Sequence, residues 1–386
     1  MVALDLADPL SRDQLRADWV AIQAATNARV SAQRSSSAHS SWNLWLRFCH
    51  SLAVNAMRLP KDPIPMLQIF AQRLRNGTIA PGRRGVRSRT VEDAVRAVGQ
   101  TYASMGAPDP RMNTHGQLDF RLTTLYQAWS KTDDSPSRVK LLPLTLLTNV
   151  VALATPEDTP SSRAASACLI LGFYFLLRPG EYLGHPNDAL DTLFRLRDVG
   201  LWIGARSLDL ETCTDAELLA ATFATLTFTH QKNGVRNETI GHGSSGHPTL
   251  CPVPALVSCM RALRHLHAPP SAPINAFATT PDSPLQHVQS ADITRRLRLA
   301  LAIHPDPAIP PSTISARSTR AGGAMALLCA GVDSDRIRLV GRWRSDKLFR
   351  YLHVQAQPIM TGLSAAMLRG GSFHLAPGEP TLPPYL

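Results

Sequence analysis

A chain of 386 residues with 44% hydrophobic side chains can bury more than one core, which excludes a disordered or fibrous polypeptide and favours two domains. The formal charge is +11, and 35 of the 40 basic residues are arginine, the side chain that grips phosphate with a planar fork. That balance favours a polyanionic partner, most simply nucleic acid.

In chain order, the first third reads as helices with apolar residues three and four apart: QLRADWVAIQAAT, SSWNLWLRFCHSLAV, PIPMLQIFAQRL, SRTVEDAVRAVGQTYASMG and FRLTTLYQAWS. Ser41 and either Ser88 or Thr90 are the expected N-caps. The basic loop APGRRGVRSRT, with Arg83, Arg84, Arg87 and Arg89, opens the fourth of these helices and suits contact with a nucleic-acid backbone. Through Asp133 the chain carries 17 basic and 10 acidic residues, so this part alone holds +7 of the charge. KTDDSPSRVKLLP then loses periodicity and gathers Ser, Pro and charge, which is linker chemistry.

Beyond the linker, PLTLLTNVVALA and SRAASACLILGFYFLLRPGEYLG read as helices. The run ACLILGFYFLL is too short to span a bilayer and is expected as a buried core helix. FATLTFTHQKNGVRNETIGH alternates β-branched and aromatic residues around Asn233-Gly234, the signature of a two-residue hairpin turn. PVPALVSCMRALRHLHA, SADITRRLRLALAI and the region around AGGAMALLCAGVD return to helix, and GGSFHLAPGEPTLPPYL ends the chain as a Pro- and Gly-containing tail. The six cysteines are scattered, with no CxxC pair and no secretory leader before them, which reads as a reducing intracellular compartment. His242, His247 and Cys251 lack a fourth partner at zinc-like spacing, so no metal is expected.

Four places combine phosphate chemistry with a rigid setting. Arg178 ends the most apolar helix, with Glu181 three residues on. Lys232 stands at the tip of the predicted hairpin, one of only five lysines. Arg317-Ser318-Thr319-Arg320 enters a helix through Gly322-Gly323, where a helix N-terminus and arginines attract anions. In GRWRSDKLFRYLHV, Tyr351 follows Arg342 by nine residues and Trp343 by eight.

This ordered set resembles the tyrosine recombinase, or phage-integrase, family. The wording of QKNGVRNETIGH, LCPVPAL, RAGGAMALLCAGVD and LVGRWRSDKLFRYL is closest to recombinases of eukaryotic mobile elements of the DIRS and crypton kinds. The resemblance implies a mainly α chain with a small β-sheet or hairpin (α+β). It implies a helical, SAM-like core-binding domain over 1–132, a linker over 133–142, a catalytic domain over 143–369 and a tail over 370–386. It further implies a DNA strand transferase that needs no cofactor, acts on double-stranded DNA, works as a homotetramer on DNA and is monomeric or dimeric when free. Such a protein has no membrane association, and in a eukaryotic host it works in the nucleus.

In that likeness Arg178 and Arg320 clamp the scissile phosphate, Tyr351 attacks phosphorus and Lys232 protonates the leaving 5′-oxygen. Glu181 orients Arg178. The sequence departs from the family at Arg317, which stands where HxxR has histidine; a permanently charged arginine is no base at ordinary pH, which leaves the tyrosine proton to water or to His353. The other histidine-or-tryptophan place falls on Arg342 by spacing, whereas Trp343 matches it chemically and is preferred. A DNA-binding relic of the same fold and a type IB topoisomerase are the alternatives.

Overall fold

The computed structural model describes residues 13–18, 20–22, 32–80, 82, 84–134, 140–153, 159–184, 192–229, 231 and 236–344. The chain divides into two compact units, Met1–Pro136 and Ser137–Leu386. The described structure is mainly helical with a small antiparallel sheet, and among the described residues no helix is long and apolar enough to cross a membrane.

The first unit is built from α1 (Ala32–Ser51), α2 (Ile64–Arg75), α3 (Ser88–Ser104) and α4 (Phe120–Thr132). Helical spacing predicts their buried faces: Ile64, Leu67, Phe70, Ala71 and Leu74 on α2, and Val91, Ala94, Val95, Val98 and Tyr102 on α3. These faces meet α1 at an aromatic cluster, where the Trp45 and Phe70 rings cross edge to face at 5.2 Å. Burying Trp45 leaves its indole N–H in need of an acceptor, which Tyr102 Oη supplies at 2.9 Å. The Tyr102 hydroxyl in turn donates to the Ala56 carbonyl.

Ser41 is not an N-cap, because α1 already runs from Ala32. Its hydroxyl donates instead to the Ser37 carbonyl one turn back, at 3.0 Å. The start of α3 is capped from a distance. Asp133, read from sequence as linker, accepts Ser88 N at 2.7 Å, Ser88 Oγ at 2.5 Å and Arg75 Nη1 at 2.7 Å. Those bonds, first to Ser88 and then to Arg75, pull the Asp133 carboxyl down to about 2.

A carboxyl whose pKa is lower when folded contributes stability that is complete above its unfolded value, near ~4, and is lost as pH falls through about 2. Asp133→Asn should therefore lower the unfolding temperature at pH 7, and the gap to wild type should shrink between pH 4 and pH 2. Thermal melts of the full-length pair across that range test it. A gap that stays constant with pH would remove the ionised carboxylate as the cause.

The second unit begins with Lys140 N on the Thr313 carbonyl at 2.8 Å and Leu142 N on the Ser318 carbonyl at 3.2 Å. Its helices are α5 (Leu144–Ala152), α6 (Pro160–Tyr174), the single turn α7 (Pro179–Tyr182), α8 (Asp215–Leu219), α9 (Pro252–His265), α10 (Ser290–Ile303), α11 (Arg317–Cys329) and α12 (Ser334–Gly341). Central to its core is α6, buried without interruption from Ala165 to Phe173, as its continuous apolar run predicts. Its N-terminus is set by Thr159, whose side chain accepts from Ser162 N, with Pro160 in the first turn.

Strands β1 (Val199–Ile203), β2 (Arg206–Ser207), β3 (Phe223–Phe228) and β4 (Glu238–Gly243) form one antiparallel sheet in the order β2-β1-β3-β4. Strands β5 (Ala276–Phe277) and β6 (Gln286–His287) pair separately. The expected hairpin is β3 and β4, but its register differs by one residue from a plain two-residue turn at Asn233-Gly234. Such a turn would set Phe228 opposite Thr239, whereas Phe228 faces Glu238 and Thr227 faces Thr239. Asn237, the residue before Glu238 on the β4 side, has φ +59, and its backbone N–H donates to the Phe228 carbonyl at 2.9 Å. Asn233, Gly234 and Lys232 lie outside the described residues.

The pair Gly322-Gly323 fixes how closely α11 approaches its neighbours. A Cβ on Gly323 would lie 2.1 Å from the Phe173 carbonyl oxygen, and one on Gly322 would lie 2.2 Å from that of Leu142. Backbone cannot yield as a side-chain tip can, so Gly323→Ala should destabilise the unit by about 1–3 kcal/mol, the usual cost of overpacking. Chemical denaturation of the two proteins measures it, and equal midpoints would show that α11 can shift freely.

Candidate active site

Arg178 follows the end of α6 and is the N-cap residue of α7. Its Nη1 donates to Glu181 Oε1 at 2.6 Å, and its backbone N–H donates to Glu181 Oε2 at 2.7 Å. The sequence Arg-Pro-Gly-Glu favours this turn: proline begins a helix without needing its missing N–H, and glutamate three residues later reaches back to the cap. Glu181 is buried, while 30% of the Arg178 side chain remains exposed. A fixed guanidinium with one face still open can receive an anion.

Arg320 lies one turn into α11, buried with 2% exposure. Its Nη2 donates to the Gly341 carbonyl, and its guanidinium carbon stands 4.3 Å from the centroid of the Trp343 ring. Gly341, the last residue of α12, leaves room for this, since a Cβ there would collide with the Trp343 ring. Arg342, between Gly341 and Trp343, turns the other way into the protein. Only 1% of its side chain is exposed, and its Nη2 lies 3.1 Å from Glu181 Oε2. Burial pushes its pKa down to about 10, which still leaves it charged at neutral pH.

Arg178, Glu181 and Arg342 thus form one connected group, and Arg320 and Trp343 another, joined through the backbone of residues 341–343. Arg317 is exposed at the first position of α11 and lines an open cleft of about 690 Å³ with Pro179 and Gly180, the residues that follow Arg178. The same cleft takes in Arg295 and Arg298 of α10. Among the described residues Arg298 and Arg317 have no carboxylate partner, so their charge faces solvent. Arg295 and Arg298, three residues apart within ITRRLRLAL, share one helix face, a pairing that the helical spacing of the segment could have shown.

In the first unit Arg84, Arg87 and Arg89 are exposed at the start of α3, where Arg89 pairs at 3.5 Å with Glu92 and with Asp93. Arg83, Lys232, Tyr351 and His353 lie outside the described residues. The three residues weighed as zinc ligands have separate neighbours. His242 is stacked edge to face on Phe175 at 4.7 Å, His247 Nδ1 accepts from Leu250 N at 3.0 Å, and Cys251 Sγ accepts from Ser245 N at 3.2 Å. Among the described residues no three His, Cys, Asp or Glu side chains are grouped to hold a metal ion.

No family model matches the sequence, and no curated protein does. Among solved structures the chain is similar to the Tn1549 transposon integrase in complex with transposon right-end DNA, at 12% identity and a TM-score of 0.48, over 91% of this chain and 98% of that one. It is similar to the same integrase in complex with circular-intermediate DNA, at 12% identity and a TM-score of 0.49, over 90% of this chain and 97% of that one. A third similar structure is the XerA recombinase, at 15% identity and a TM-score of 0.35, over 90% of this chain and 95% of that one.

Proposed function

We propose that this protein is a site-specific DNA recombinase, or integrase, of a mobile element, which cuts and rejoins DNA through a 3′-phosphotyrosine on Tyr351. The observation that carries this reading is the pairing of two immobilised arginines. Arg178 is fixed by a buried carboxylate and Arg320 by a carbonyl and an indole ring, and they are joined through three consecutive residues that precede Tyr351.

Attack by the tyrosine oxygen makes one P–O bond and breaks the bond to the 5′-oxygen, passing through a phosphorane with extra negative charge. Two forked guanidinium groups neutralise that charge, and they cost no reorganisation because the fold already holds them. Lys232 gives the departing 5′-oxygen its proton, and the reverse reaction by a new 5′-hydroxyl rejoins the strand. Trp343 stacks on Arg320 and takes the histidine-or-tryptophan place.

Exposed on the cleft beside Arg178, Arg317 serves as a further phosphate ligand, while the tyrosine proton passes to water or to His353. The basic cleft and the arginines at the start of α3 supply backbone contacts to double-stranded DNA, and strand exchange takes place in a tetramer on DNA, in the nucleus of a eukaryotic host. The test is a duplex nicked close to the cleavage site, which loses its short fragment after attack and traps the enzyme. A denaturant-stable protein–DNA adduct supports the reading. Tight DNA binding with no adduct would leave a DNA-binding relic in its place.

A further inference from the structure

Arg342 occupies the place where spacing puts a phosphate-contacting histidine or tryptophan, yet its guanidinium points into the core. Nη1 donates to the carbonyls of Phe175 and Val340, each at 3.2 Å. Nη2 donates to the Leu176 carbonyl at 3.2 Å and to Glu181 Oε2 at 3.1 Å. Its guanidinium carbon stands over the ring of Phe228 of β3, 3.7 Å from the centroid. One side chain therefore ties α12 to the end of α6, to α7 and to the sheet.

Two further features bear on its role. Arg342 has φ +58 and Leu176, whose carbonyl it holds, has φ +49. Both are left-handed conformations that non-glycine residues adopt at a cost, so the surrounding bonds must hold them there. In addition, the Glu181 carboxylate is shared. Arg178 takes Oε1 with its side chain and Oε2 with its backbone N–H, while Arg342 takes Oε2 from the opposite direction. The donors needed at this point number four, aimed at four acceptors in different directions. Arginine has five N–H groups in a fixed fork, lysine has three on one compact head, and histidine has two at most.

We propose that Arg342 is a positioning residue that sets where the two clamp arginines stand relative to each other. It acts on Arg178 through Glu181, and on Arg320 through its own chain neighbours Gly341 and Trp343. It does so without touching DNA. This inference rests on the cleavage reading above, because its effect is read in the rate of that reaction.

The experiment is a cycle of full-length proteins: wild type, Arg342→Lys, Arg178→Lys and the double variant, with Arg342→Gln as a second change at the same place. Each is measured for thermal unfolding, for Kd on an uncut duplex and for the rate of adduct formation on the nicked duplex. Misplacing a catalytic group by about 1 Å costs about 10²-fold, so Arg342→Lys should slow adduct formation by that order, with Kd within about threefold of wild type. In the Arg178→Lys background the same change should cost far less, because residues that act as a unit lose their effect once, not twice.

A purely structural residue would slow both backgrounds by the same factor, in step with the fraction unfolded at the assay temperature, and that result would overturn the proposal. So would unfolding of both Arg342 variants under assay conditions, which would make the arginine a folding residue. Wild-type cleavage matched by Arg342→Lys would overturn this inference alone. A wild type that forms no adduct would overturn the cleavage reading and this inference with it.

Discussion

Tyr351→Phe is expected to form no covalent adduct on the nicked duplex while its Kd for DNA stays within about twofold of wild type, because only the attacking oxygen is removed and phenyl packing is retained. The expectation comes from position. Tyr351 follows Trp343 by eight residues, and Trp343 is the residue stacked on the buried Arg320. Loss of a sole nucleophile leaves no slower version of the same step, so the result should be absence and not reduction. Peptide mapping of the wild-type adduct gives an independent check. Phosphate found on any other residue, or an adduct of normal yield from Tyr351→Phe, would remove the tyrosine from its role.

Much of the fold is legible in the sequence because local physics decides it. The helices of the first unit announce themselves by apolar spacing, and that spacing matches the buried faces of α2 and α3. The uninterrupted burial of α6 follows from a run with no polar face to leave outside. Errors arise where a distant residue decides. Ser41 looks like a cap until the helix is seen to begin at Ala32. Ser88 does begin a helix, but its cap is Asp133, which is 45 residues away. Strand β1 escapes notice because five residues containing Gly200 show no clear alternation, and its place is set by pairing with β3. The hairpin is visible while its register is not, since a shift of one residue leaves the composition and the turn signal unchanged.

The site divides in the same way. Motif spacing points to Arg178, Glu181, Arg320 and Arg342, side-chain chemistry prefers Trp343 to Arg342, and the fold gathers these residues into two contacting groups. Spacing cannot say which way a side chain turns. Arg342 and Trp343 are neighbours with opposite directions, and the choice between them rests on the left-handed backbone at Arg342 and on the carbonyls of Phe175 and Leu176, residues 167 and 166 positions earlier. The basic cleft is also a tertiary product, made by placing Arg295 and Arg298 of α10 beside the start of α11.

Arg320 carries the second large effect. Arg320→Lys keeps one positive charge but cannot both bond the Gly341 carbonyl and set a delocalised cation over the Trp343 ring, two contacts that now hold the guanidinium in place. Removing one preorganised donor from a developing anion typically costs about 10²–10³ in rate, so adduct formation should fall by at least that order while DNA affinity, spread over many phosphate contacts, changes little. Charge and geometry can then be separated with Arg320→Ala, which opens a space lined by the Trp343 ring. Methylguanidinium added in solution should restore part of the lost rate, because its planar face can stack on the indole and its N–H groups can form the fork again. Methylammonium at the same concentration should restore little. Equal rescue by both cations would show that a positive charge alone suffices at this place, and the planar clamp would have to be abandoned for a purely electrostatic one.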